Sequence, residues 1–113
     1  MARLVVEGDR VVVRLSTTEK LLGLANDPSA PLSAVRAARV VRPARQAIRG
    51  FRAPGLGVPG MAWVGHWRGQ GHDFVAVYGD HAGVVVDLDG PFARFVVSVD
   101  DPEGIVEQLS PRP

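Results

Sequence analysis

Short β-branched runs, each closed by a turn bearing glycine or proline, recur along almost the whole of this 113-residue chain. That punctuation leaves no room for long helices and directs the chain toward a strand-built fold. Arg3 to Glu7 and Arg10 to Leu15 are joined at Gly8-Asp9, a turn suited to a hairpin. In the second run Val11, Val13 and Leu15 share one face and Arg10, Val12 and Arg14 the other, the period of a strand with one wet side. Leu32 to Arg42, Met61 to Arg68, Asp73 to Tyr78, Val84 to Asp89 and Phe92 to Val99 bring the expected strands to seven. Asn26 to Pro31 reads as a turn-rich connector. Phe51 to Gly60, with three glycines and two prolines, reads as devoid of regular structure.

Helix signals are fewer. Ser16-Thr17-Thr18-Glu19 fits a capping box that opens a short helical turn, Glu19 to Leu22, closed by Gly23. Pro43 to Arg49 has the early proline and following glycine of two helical turns. Asp100-Asp101-Pro102-Glu103 is a strong helix start, with acid at the cap and proline in the first turn. The helix is expected to reach about Leu109, with Ile105, Val106 and Leu109 as its apolar stripe and Ser110-Pro111 as its stop. The sequence therefore predicts a mainly β (α+β) domain spanning 1–113, an antiparallel barrel or sandwich closed by a C-terminal helix. The absence of cysteine removes disulfides, thiolate metal sites and thiol nucleophiles together. No run approaches the ~18 apolar residues that cross a bilayer. Glu7 interrupts the apolar stretch a secretion signal would need, so a cytoplasmic location is expected.

Several of these turn and cap residues resemble those of bacterial pleckstrin-homology-like domains. They are Pro59-Gly60, Gly65, Phe74 to Tyr78, Val84-Val85-Val86, and above all Ser98 to Glu103 followed by Ile105, Val106 and Leu109. Pro31 to Val35 resembles the entry to a third strand. The likeness spans roughly residues 4 to 109 and implies a strand shell plugged by the last helix. It implies binding or assembly rather than catalysis, with no shared catalytic residues and no cofactor.

Charge is unevenly distributed. Pro28 to His72 carries seven arginines and no carboxylate, whereas Asp73 to Pro113 carries eight carboxylates and two arginines. Segregated charge of this kind is expected to produce a directional field hidden by a net charge of +1. Arg42, Arg45, Arg49 and Arg52 recur at spacings of three or four beside a glycine- and proline-rich loop. They form a solvated basic face, pair with the acidic half of the same or another copy, or hold an anionic ligand such as a phosphate or lipid headgroup. Nucleic acid is disfavoured, because the acidic half repels a spreading polyanion. Trp63 and Trp67, on one face with Gly65 between, are wall packing or an exposed platform for a partner. His66, His72 and His81 match no metal spacing and fall near turns, so no metal site is expected. Asp87 and Asp89 share a strand face, and Ser98 reads as a last outward strand position. No nucleophile–base set assembles, which leaves a non-catalytic binding or self-associating module as the first reading, anion binding as the second and a small enzyme as the third.

Overall fold

Gly83 opens a strand, and its lack of a side chain decides how the largest sheet is covered. A Cβ there would lie 2.4 Å from the Val97 carbonyl oxygen and 2.7 Å from the Ala44 Cβ. The bare backbone lets Ala44, with none of its surface exposed, lie flat on the sheet. This is a computed structural model that describes residues 2–23, 26–58 and 61–109, with backbone alone for 22, 23 and 52–58. The elements are β1 (Arg3–Glu7), β2 (Arg10–Arg14), α1 (Thr17–Gly23), β3 (Ser29–Pro31), β4 (Val35–Val41), β5 (Phe51–Val58), β6 (Ala62–Arg68), β7 (Asp73–Tyr78), β8 (Gly83–Leu88), β9 (Arg94–Ser98) and α2 (Pro102–Leu109). Short 3-10 turns occupy Leu32–Ala34 and Ala44–Ala47.

The strands form two sheets, ordered β1-β2-β3 and β4-β8-β9-β7-β6-β5. Among the described residues no strand pairing joins them, so the expected closed barrel is not formed. The mainly β class with a C-terminal helix is. Nor is the large sheet wholly antiparallel, because β9 inserts between β8 and β7 and runs parallel to β7. The reason lies in β7, β8 and β9, whose apolar side chains fill both faces, so the sheet needs cover on both sides. On its inner face Val64, Phe74, Val84, Val86, Phe95 and Val97 pack against Leu4, Val11 and Val13 of the smaller sheet, Leu15 just beyond it, and Leu109. Ile105 and Val106 of α2 join that core as the sequence stripe predicts. On the outer face Trp67, Val75, Val77, Val85 and Val96 pack beneath Ala44, Ala47 and Ile48.

Two strands lie where turns or no structure were expected, and both are edges. β3 has three residues and ends in proline, and β5 shifts register between Arg52 and Gly55, around Pro54. A proline is tolerated on an edge, where its missing N–H interrupts no pairing. Pro43 to Arg49 is not two α-turns: it crosses the outer face as one 3-10 turn, tied by the Ala44 amide to the His81 carbonyl at 2.9 Å. β4 begins later than expected, and an irregularity between Val35 and Ala37 resets its alternation so that Arg36 leaves the pairing.

The capping box forms as read. Ser16 N donates to Glu19 Oε1 at 2.8 Å and Glu19 N to Ser16 Oγ at 3.1 Å. Glu19 is buried, and its other oxygen accepts from the Tyr78 hydroxyl, so the cap also docks α1 on β7. Burial, then the bond to Glu19, pushes the Tyr78 pKa above its ordinary value. Ser98 is fully buried rather than outward, its Oγ accepting from Tyr78 N at 3.0 Å. At the helix start Asp101 caps Gly104 N at 3.2 Å. Pro59-Gly60 and Ser110-Pro111 lie outside the described residues.

Candidate functional site: an arginine cleft on the outer face

Residues directly opposite one another in a sheet share a face. One row across the large sheet therefore sets Ala37, Asp87, Arg94, Asp73 and Trp67 side by side on its outer face. Asp87 is shared, Oδ1 lying 3.1 Å from Arg94 Nη2 and Oδ2 2.9 Å from Arg39 Nη1. Asp73, with 3% of its side chain exposed, is gripped from above by Arg49, whose Nε and Nη2 donate at 2.7 and 3.0 Å. That bidentate bond, offset in part by burial, raises the Arg49 pKa above its ordinary value and keeps the guanidinium charged. Arg49 Nη1 also donates to Gln70 Oε1 at 3.3 Å.

Between these groups opens a cleft of about 400 Å³ lined by Arg36, Arg49 and Arg94, with Asp87, Ala37 and Ala93. The fit of its wall is tight. A Cβ on Gly71, whose φ is +140°, would lie 2.7 Å from the Ala93 Cβ. Arg94 is 14% exposed in its side chain, and its Nε is buried with no hydrogen-bond partner. Arg36, released by the strand irregularity, is two-thirds exposed and touches Asp89 only at 3.4 Å. Three guanidiniums lining a cleft with one carboxylate can take up an oxyanion.

The arginine series is placed differently from a helical face. Arg42 pairs with Glu103 of α2, Arg45 with Asp80 at 2.7 Å, and only Arg49 enters the cleft. The Arg52 side chain lies outside the described residues. Arg36, Arg39, Arg42, Arg45 and Arg49 each meet a carboxylate from beyond residue 72. The charge blocks of the sequence are thus interleaved in space, and the expected directional field largely cancels. Antiparallel pairing of β4 with β8 brings this about, together with the crossing segment above β7 and β9. Trp67 is buried and Trp63 half-buried in the outer-face core, so they form packing rather than an exposed platform. Sequence reasoning missed Arg36 and Arg94. The available signal for Arg94 was an arginine heading a run, Phe95-Val96-Val97, that is apolar on both faces.

His66 and His72 meet on the inner side, Nδ1 to Nε2 at 2.7 Å, with Phe92 4.6 Å from the His72 ring and Phe74 edge-on to His66. His81 stands apart in the turn after β7. No group of three metal-ligating side chains occurs among the described residues. Burial, aided by Arg68 and His66, lowers the His72 pKa below its ordinary value, though Asp73 opposes this. The unfolded chain then binds the proton more readily, so stability falls once pH drops below about 6.5 and continues to fall to the lower folded value. Calorimetry at about pH 7 and about pH 5 should show a lower melting temperature in acid, and His72→Gln should shrink that difference. An equal shift in the variant would assign the effect elsewhere.

Comparison with protein-family models, with curated proteins and with solved structures finds no match to this chain. No helix among the described residues is long and apolar enough to cross a membrane.

Proposed function

We propose that the protein is a non-catalytic binding module that takes a small oxyanion, of carboxylate or phosphate class, between Arg36, Arg49 and Arg94. The observation that carries this reading is the convergence of Arg36, Arg49 and Arg94 on one open cleft that holds a single carboxylate, Asp87. Asp73 holds Arg49 in place from behind, Asp87 orients Arg94, and the exposed Arg36 closes on the ligand. Because Arg39, Arg42 and Arg45 nearby are paired with carboxylates, this reading favours a compact ligand over a polyanion or an extended acidic surface. The pleckstrin-homology-like likeness belongs with the same proposal. It draws support from the last strand running into a capped helix, while the parallel β7–β9 pair and the unclosed shell set the topology apart.

Isothermal titration with inorganic phosphate and with succinate tests the reading and separates the two ligand classes. Binding should weaken at least about tenfold in the Arg36→Ala, Arg94→Lys double variant, and it should weaken with added salt. Affinity equal in wild type and variant, or absence of binding to either anion at millimolar concentration, would overturn it.

A further inference from the structure

β1 is an outer strand of the three-stranded sheet. The opposite edge, β3, is blunted by its length of three residues and by Pro31. β1 has five residues and no proline, glycine or irregular pairing. The two-residue turn Gly8-Asp9 makes Glu7 and Arg10 a hydrogen-bonded pair, and alternation makes Val5–Val12 and Arg3–Arg14 the same. Leu4 and Val6 therefore aim their N–H and C=O groups at the open edge. Beside that edge runs a groove of about 390 Å³ with an apolar lining that includes Leu4, Val5, Val99 and Ile105.

The sequence of this edge is complementary to itself. Read antiparallel about Val5, Arg3 faces Glu7 and Leu4 faces Val6. Inside one chain Arg3 lies directly opposite Arg14, an unfavourable pair of like charges, and Arg14 is drawn to Glu7 and Asp27. Arg3 has no carboxylate partner among the described residues.

We infer that β1 is the pairing edge of a two-fold symmetric dimer, in which β1 of a second copy joins the two small sheets into one of six strands. Leu4 and Val6 exchange backbone hydrogen bonds with the partner's Val6 and Leu4. Arg3 and the partner's Glu7 fall in a position where side chains approach closely, so Glu7 bridges its own Arg14 and the incoming Arg3. Apolar inward side chains of the added strand lie along the groove. The cleft sits on the far face of the other sheet, so this inference and the anion-binding reading fail independently.

Sedimentation velocity on the full chain over a concentration series tests it. Wild type should dimerise with rising concentration. Arg3→Glu should weaken association at least about tenfold, by setting acid against acid, and adding Glu7→Arg to the same chain should restore it. Circular dichroism confirms that each variant is folded. The chain has no cysteine, and Val5 faces itself across the axis, so Val5→Cys should oxidise to a covalent dimer far faster than Thr18→Cys on exposed α1. A wild type that stays monomeric up to about 1 mM would sink the inference. So would a dimer indifferent to Arg3→Glu, one not restored by the double exchange, or equal oxidation of the two cysteine variants.

Discussion

Arg49→Met is expected to lower the unfolding free energy by about 3–5 kcal/mol, measured as a fall in urea midpoint at unchanged slope. The loss arises at Asp73 more than at Arg49. Asp73 keeps 3% of its side chain exposed, and Arg49 keeps 23%. Once the guanidinium is gone, a carboxylate remains at the start of a central strand with nothing to balance its desolvation. Screening at the partly wet arginine places the result toward the lower end, about 3 kcal/mol, still a large share of a typical domain's stability. The converse change is milder: in Asp73→Leu, Arg49 can turn outward to water. Combining Arg49→Met with Asp73→Leu should therefore recover part of the single-variant loss. If Arg49→Met costs under about 1 kcal/mol, the Asp73–Arg49 bond is not what holds the crossing segment on the sheet.

Phe95→Ala is expected to cost a similar amount, about 3–5 kcal/mol, for an unrelated reason. Phe95 is fully buried in the middle strand of the large sheet, opposite Val86 on β8 and Phe74 on β7. Its removal leaves a cavity that two paired neighbours cannot collapse to fill. Phe95 also backs the Phe92 ring, 5.2 Å away, which covers His72. The substitution should thus loosen the histidine pair and reduce the acid sensitivity described above. Phe95→Leu, which keeps most of the volume, should cost about 1 kcal/mol, and a comparable loss in both variants would show the site to be poorly packed.

Among the elements, those with strong local chemistry were legible. The first hairpin, α1 with its capping box, the runs that became β6 to β9 and the acidic-proline start of α2 all sit close to their expected positions. β3 and β5 were not legible, because both carry proline and few β-branched residues. Their prolines, informative about turns in isolation, are compatible with pairing on one side only. Arg36 left the pairing through an irregularity with no glycine to announce it.

The cleft shows the same division. Arg49 was singled out from the sequence, but as one of a series with Arg42, Arg45 and Arg52, and the two helical turns expected over Pro43 to Arg49 do not form. Arg36 and Arg94 are 58 residues apart and meet because β4, β8 and β9 are neighbours.

Composition and periodicity, being local, determined that this chain is mainly β, that it ends in a capped helix, and that its central runs are apolar on both faces. Which strands neighbour one another depends on covering those two faces at once, a requirement no single segment records. Tertiary structure alone placed β9 beside β7, left the shell unclosed, and turned two blocks of opposite charge into interleaved pairs.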